Sequence, residues 1–159
     1  KSYKKSLLSN SNPYTPAVNL VFALDESLKM MKDEGLDQIF KRHKRHKLAV
    51  SEAAKSLNLK IFADEENLSP SVTAIQIENF DAEKFRKIIK NKYDILLAGG
   101  QDHLKGKIFR VGHLGYVNDR DIISVIAAIG NTLVELNKIS TEQVGEALKV
   151  ASQHLLTET

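Results

Sequence analysis

One arginine lies in a segment whose residue types suit the binding of an anion. Residues 105–117 read KGKIFRVGHLGYV, and within them Ile108 to Gly112 predicts a β-strand. Because successive side chains of a strand point to opposite faces, Arg110 would point away from Phe109 and Val111. A guanidinium among apolar neighbours keeps its charge and needs a carboxylate or phosphate, ideally in a two-pronged geometry. The pattern leaves open whether that partner is an internal Asp or Glu, or a bound ligand.

A second candidate anion site lies at a predicted helix start, in the sequence NPYTP. Thr15 followed by Pro16 is typical of an N-cap and a first helical turn. The start of a helix offers free N–H groups and a partial positive charge, which suit a phosphate. The alternative is that the Thr15 hydroxyl only caps its own helix.

A glycine-rich stretch invites comparison with a phosphate-binding P-loop, but the spacing is wrong. Five residues separate Gly100 from Gly106, and Ile108 follows Lys107 where that motif requires Ser or Thr. The pair Gly99 and Gly100 instead predicts a turn with positive φ. We expect these two glycines to shape the chain rather than to do chemistry.

The only dense basic run, residues 41–47, reads KRHKRHK. A helix spreads these side chains around its axis, so the run predicts a solvated or interface face rather than a nucleic-acid contact. His43 and His46 are three residues apart, but their basic neighbours would repel a cation. The sequence therefore predicts no metal site.

Hydrophobic periodicity predicts the elements that position these residues. Residues 1–35 form a lead-in, irregular over 1–14, and a long helix, while 36–159 form a small domain of class α+β. We expect a mostly antiparallel sheet of about four strands with helices packed on it. The predicted strands are 59–62, 72–77, 94–98 and 108–112; the predicted helices begin near Thr15, Leu36, Asp81, Ile122 and Ser140.

The composition excludes several kinds of chemical site from this chain. The 159 residues are 42% hydrophobic, carry a net charge of +3 and contain no cysteine, which excludes disulfides, iron–sulfur clusters and a cysteine nucleophile from this chain. We expect a cytoplasmic protein with no nucleic-acid or membrane partner. Because the chain starts at Lys1 and its methionines are Met30 and Met31, we interpret it as a piece of a longer polypeptide.

Two stretches carry a family resemblance. PYTPAVNLVFALDESLKMMKDEGLDQIFKRHKRH and ILLAGGQDHLKGKIFRVGHLGYV resemble the C-terminal part of class V aminotransferases, in particular the alanine–glyoxylate and serine–pyruvate group. The string KGKIFRVGHLG is the more specific part. The chain is also similar to cyanobacterial relatives described as the small subunit of a soluble hydrogenase.

The resemblance implies a fold-type I enzyme that uses pyridoxal 5'-phosphate and works as a homodimer, of which this chain is mainly the C-terminal small domain. Arg110 then corresponds to the arginine that binds the α-carboxylate of amino-acid and keto-acid substrates. Thr15, and less specifically Tyr14, correspond to residues that hold the cofactor phosphate of the neighbouring subunit. The implied reaction moves an amino group from serine or alanine to glyoxylate or pyruvate.

The resemblance also implies what this chain lacks. The lysine that carries the cofactor covalently belongs to the large domain, upstream in the family, so the segment has no catalytic residue and is expected to be inactive alone. Two alternatives remain. One is a true hydrogenase subunit, disfavoured by the absence of cysteine. The other is a non-enzymatic α+β binding module that uses the basic run.

Overall fold

The computed structural model describes residues 2–157, and it divides into two compact units, Lys1–Ile39 and Phe40–Thr159. The first unit contains the helices α1 (Ser2–Leu7) and α2 (Val18–Glu34), and then the first residues of α3 (Leu36–Ser56). The predicted irregular lead-in is therefore partly wrong, because α1 lies within it. No residue of α2 is buried, although one side of this helix is apolar.

The second unit is an α+β domain, as predicted. A four-stranded antiparallel sheet has the order β1-β2-β4-β3, and helices α4, α5 and α6 complete the domain together with the rest of α3. Short 3₁₀ turns precede β2 and β4. The strands are β1 (Lys60–Ile61), β2 (Val72–Gln76), β3 (Ala98–Gly99) and β4 (Ile108–Gly112), and the helices are α4 (Ala82–Tyr93), α5 (Asp119–Glu135) and α6 (Thr141–Leu156).

Helix starts in this unit follow the local signals of the sequence. The Asp81 carboxylate accepts a hydrogen bond from the Glu83 N–H at 2.7 Å and so caps α4. Gln143 accepts a bond from the Ser140 N–H at 3.1 Å, which is half of a capping box at the start of α6. Both caps satisfy N–H groups that a helix start leaves without partners.

The predicted strand over 94–98 is largely wrong. Asp94 adopts a left-handed conformation with φ 54° and ends α4, its N–H bonding to the Lys90 carbonyl, so the chain turns there before it can extend. Only Ala98 and Gly99 pair with β4. The apolar residues that follow Asp94 form the return from α4 to the sheet edge, where Leu97 is buried and Leu96 is exposed.

The core lies between one face of the sheet and the helices. Ile75, Phe109 and Val111 point inward from the two central strands, and the Phe85 ring of α4 lies 5.2 Å from the Phe109 ring. Their burial fixes the register of β2 and β4, because a slip of one residue would turn this apolar set outward. Among residues 2–157, no helix is long and apolar enough to cross a membrane.

The contact between α5 and α6 gives a test of the packing. A Cβ added to Gly130 would meet the two methyl groups of Val144 at 2.9 and 3.0 Å, whereas one added to Gly145 would meet nothing within 4 Å. We expect Gly130→Ala to destabilise the fold by about 1–3 kcal/mol through overpacking. Gly145→Ala, the matched control on an exposed helical position, should stabilise it by about 0.5–1 kcal/mol. Urea unfolding measures both, and equal effects of the two variants would contradict the close packing at Gly130.

Candidate functional site

Strand β4 places Arg110 on the face of the sheet that points away from the core. Phe109 and Val111 are buried on the inner face, and Arg110 between them is half-buried on the other. Burial alternates from Phe109 to Gly112 as predicted for this orientation, whereas Ile108, on the same face as Arg110, is buried.

The cross-strand neighbours of Arg110 on this outer face are small, although Ile108, on the same face of β4, is large and buried. The register pairs it with Ala74 on β2 and with Ala98 on β3, so a methyl group flanks it on each side. Gly112, two residues further along β4, has open space where a Cβ would be. On the two cross-strand sides and toward Gly112 the side chain has little bulk beside it, and a small ligand has room to approach it there.

The guanidinium is held from one end. Its Nε donates a hydrogen bond to the Gly99 carbonyl at 3.0 Å. In the part of the chain that the structure describes, Arg110 forms no ion pair with a carboxylate, and its two terminal nitrogens make no hydrogen bond. The internal Asp or Glu that the sequence left open as a partner is absent among these residues. The arrangement leaves the two-pronged end of the guanidinium available to an anion.

Gly99 and Gly100 do not form the predicted turn with positive φ; that prediction is wrong. Both positions lack room for a side chain instead. A Cβ on Gly99 would lie 2.5 Å from Arg86 Nη1 and from Glu83 Oε1, and a Cβ on Gly100 would collide with the Leu104 carbonyl. Close packing against backbone therefore requires glycine at position 100, whereas a side chain at position 99 would have to displace the ends of Arg86 and Glu83.

Thr15 and Tyr14 lie in the first unit, before α2. Thr15 is not the N-cap of α2, contrary to the prediction, because the helix begins at Val18 and Ala17 occupies the cap position without a side-chain hydrogen bond. The Thr15 side chain is exposed, and its hydroxyl has no hydrogen-bond partner within residues 2–157. Tyr14 is exposed too, and its ring contacts the Tyr3 ring edge-on at 6.2 Å.

The fit to pyridoxal phosphate is partial. The exposed Thr15 hydroxyl, which is free of internal hydrogen bonds in the described part, suits a contact with a phosphate. No lysine of residues 2–157 is buried, whereas a lysine that forms a covalent bond with a carbonyl cofactor needs a desolvated site to lower its pKa. The residues of this chain therefore fit phosphate and carboxylate contacts, and they do not fit the covalent attachment.

A buried histidine that the sequence analysis did not single out anchors the chain directly after β4. His113 Nδ1 lies 3.0 Å from the Pro70 carbonyl oxygen and must carry the proton, so Nε2 accepts from the Thr73 hydroxyl at 2.9 Å. Burial, and then the positive charges of His46, His43 and Lys47, lower the pKa of His113 from 6.5 to about 4. The neutral ring thus ties the segment that follows Arg110 to β2 and to the residues before it.

The basic run was predicted to form a solvated or interface face, and within it only Lys41 and Lys44 are exposed. Arg42 Nη1 donates to the Gly115 and Val117 carbonyls at 2.9 and 3.0 Å. His46 is fully buried and lies 2.8 Å from Asp119 Oδ1. These groups hold the segment between β4 and α5 on α3. Among the described residues, no group of three or more His, Asp or Glu is arranged to bind a metal ion.

Comparisons with known proteins identify relatives of the chain, although no protein-family model matches it. A soluble hydrogenase 42 kDa subunit of Anabaena cylindrica is 53% identical over 134 residues, which are 84% of this chain and 35% of that protein. An uncharacterized aminotransferase of Methanocaldococcus jannaschii is 38% identical, over 92% of this chain and 37% of the relative.

A solved structure shares the fold. The ureidoglycine–glyoxylate aminotransferase of Bacillus subtilis matches with a TM-score of 0.85 and 29% identity, over 94% of this chain and 38% of that one. The chain spans little more than a third of the length of the curated relatives that it matches.

Proposed function

The chain belongs to the class V aminotransferase family, and we propose that it supplies the substrate-carboxylate-binding part of an aminotransferase that uses pyridoxal phosphate. The full-length protein would move an amino group from a small amino acid, serine or alanine, to glyoxylate or pyruvate. The relatedness to proteins named as aminotransferases, one of them a ureidoglycine–glyoxylate aminotransferase, supports the reaction class.

The observation that carries this proposal is the geometry of Arg110. Its Nε is fixed on the Gly99 carbonyl, which leaves the terminal nitrogens directed away from that anchor. Two parallel N–H groups of a guanidinium match the two oxygens of a carboxylate. Serine, alanine, glyoxylate and pyruvate each carry a carboxylate next to the reacting carbon, so one arginine would serve both halves of the reaction.

Small neighbours and a fixed cation also favour small substrates. The cross-strand side chains that flank Arg110 are those of Ala74 and Ala98, and they leave the guanidinium accessible to a small carboxylate. Holding the carboxylate at one fixed point orients the reacting carbon, and orientation of this kind is a large part of catalytic power.

The cofactor and the second subunit belong to the same proposal. Pyridoxal phosphate would supply the electron sink for bond breaking at the substrate carbon. The Thr15 hydroxyl would bind the phosphate of the cofactor held by the neighbouring subunit of a homodimer, and Tyr14 would lie beside it. The residues that the structure describes contribute substrate binding and part of a phosphate site, so the segment alone would not transaminate.

The test of the proposal uses the full-length protein. We expect it to show the visible absorbance of bound pyridoxal phosphate and to transfer an amino group from serine or alanine to glyoxylate or pyruvate. Residues 1–159 expressed alone should show neither the absorbance nor the transfer. A full-length protein that binds no pyridoxal phosphate would refute the proposal.

A second candidate function has one specific observation in its favour, the name of the Anabaena cylindrica relative. Hydrogen activation needs metals held mainly by thiolates, and this chain has no cysteine to contribute. Metal analysis and hydrogen uptake by the purified full-length protein distinguish the two functions. Hydrogen uptake that depends on a bound metal would favour the hydrogenase.

A further inference from the structure

A second arginine lies directly behind the strand that contacts Arg110. Arg86, on α4, donates from Nε to the Leu97 carbonyl at 2.7 Å, which ties the helix to the residue before β3. Its Nη1 donates to Glu83 Oε2, also at 2.7 Å, and the two side chains are 22% and 36% exposed. A half-buried ion pair between residues three apart on one helix is therefore also bonded to the backbone of the sheet edge.

The ion pair packs against Gly99 itself. A Cβ on Gly99 would lie 2.5 Å from Arg86 Nη1 and 2.5 Å from Glu83 Oε1, closer than real Cβ contacts ever come. Glu83 Oε1 is buried and makes no hydrogen bond in the described part of the chain, so this carboxylate is held in place by Arg86 and by packing. The ends of these two charged side chains thus occupy the space where a side chain at position 99 would lie.

Gly99 connects this ion pair to the candidate site. Its carbonyl accepts the hydrogen bond from Arg110 Nε at 3.0 Å. The strand β3 has only two residues, Ala98 and Gly99, and it lies at the edge of the sheet, so its ladder bonds alone hold it weakly. The Gly100 N–H donates to the Ile108 carbonyl at 3.2 Å directly after the strand, and the bond from Arg86 to Leu97 is a further attachment directly before it.

We propose that Arg86, braced by Glu83, is a positioning residue for the substrate carboxylate. It fixes β3, and β3 fixes the Gly99 carbonyl that sets the direction of the Arg110 guanidinium. Without it, the edge strand shifts and the two terminal nitrogens of Arg110 no longer point at the carboxylate together. This inference rests on the proposed function, because it assigns Arg86 a role only through Arg110.

A merely structural role for Arg86 predicts something different. Loss of a half-buried ion pair and of one hydrogen bond to a carbonyl would lower the stability of the fold and leave substrate affinity unchanged at temperatures where the protein is folded. A positioning role raises the KM of both carboxylate substrates in the folded protein. The KM of the folded enzyme therefore separates the two roles.

The experiment compares Arg86→Met and Arg86→Lys with Lys87→Met in the full-length protein loaded with pyridoxal phosphate. Lys87 is the adjacent exposed cation of the same helix, and it serves as the matched control. We expect Arg86→Met to raise the KM for glyoxylate and for the amino acid roughly tenfold, since small misplacements of a binding group have effects of this order. The kcat at saturation and the absorbance of the cofactor should change little, and Lys87→Met should change nothing.

The Arg86→Lys variant and inhibition by acetate keep the outcome decisive. Arg86→Lys retains the charge and the pair with Glu83 but loses the planar donor set, so its KM should lie between those of the wild type and Arg86→Met. If Arg86→Met does not fold, the KM of Arg86→Lys tests the inference in its place. The dissociation constant of acetate, read as competitive inhibition, should rise with the KM, because acetate needs only the carboxylate contact.

The parallel variant Arg110→Ala separates failure of this inference from failure of the proposed function. If Arg110→Ala raises the KM and both Arg86 variants leave it unchanged, Arg86 is not a positioning residue and the proposed function stands. If Arg110→Ala also leaves the KM unchanged, the carboxylate binds elsewhere and both fail.

Discussion

Replacing Arg110 with alanine is expected to raise the KM for the amino acid and for the keto acid together, by about a hundredfold, in the full-length protein. Removing one partner of a hydrogen-bonded charge pair costs about 2–5 kcal/mol, and each 1.4 kcal/mol corresponds to a factor of ten. Because the same guanidinium would bind both carboxylates, the two KM values should rise in parallel. Steady-state kinetics with each substrate varied in turn measures the effect.

The cofactor gives the internal control for this variant. Arg110 is proposed to contact the substrate and not the pyridoxal phosphate, so the visible absorbance of Arg110→Ala should equal that of the wild type. Arg110→Lys should retain part of the affinity, because lysine keeps the charge and loses the two-pronged geometry. Arg120→Ala, at an exposed position of α5, is the matched control and should leave both KM values unchanged. An unchanged KM in Arg110→Ala would show that the carboxylate binds elsewhere.

The orientation of Arg110 followed from the sequence because it depends on local rules alone. Alternation along 108–112 determines which face each side chain occupies, and the bulk of Phe109 and Val111 determines which face is buried. The caps at Asp81 and Ser140 were predictable for the same reason, since the residues that bond are two or three apart.

Contacts between distant parts of the chain escaped the sequence analysis. Nothing near Arg86 indicates that its partner is the Leu97 carbonyl, eleven residues away on the sheet edge. The glycines at 99 and 100 carry a strong turn signal in isolation, yet in the fold the ends of two α4 side chains lie against Gly99 and the Leu104 carbonyl lies against Gly100. Tertiary packing determines such positions, and a single sequence does not display it.

The histidine at 113 illustrates the same limit. Its partners, Pro70 and Thr73, lie about forty residues earlier, and they become neighbours only because β2 and β4 pair. In the sequence it stands beside Gly112 in the stretch that resembles the family, with no local cue to its burial. In the fold, its hydrogen bonds to Pro70 and Thr73 hold the segment that follows β4.

Because the His113 ring is buried in its neutral form, the stability of the folded chain depends on pH. The pKa of His113 is lowered from 6.5 to about 4, chiefly by burial, so the unfolded chain takes up a proton below pH 6.5 while the folded chain does so only near pH 4. Stability is therefore expected to fall as the pH falls between these values, by about 3 kcal/mol from this group. His46, whose pKa is also lowered by burial, adds to the loss in the same direction. Urea unfolding at a series of pH values from 8 to 4 measures the slope.

The variant His113→Asn isolates the contribution of this ring. Asparagine has no group that titrates in this range, so the fall in stability between pH 6.5 and 4 should become smaller by most of that amount. At pH 8 the variant should be less stable than the wild type, because a short amide cannot reach both the Pro70 carbonyl and the Thr73 hydroxyl. His103, exposed on the 3₁₀ turn before β4, provides the matched control, and His103→Asn should leave the slope unchanged. A His113→Asn variant that keeps the full slope would show that other groups, and not the buried ring, give the chain its sensitivity to acid.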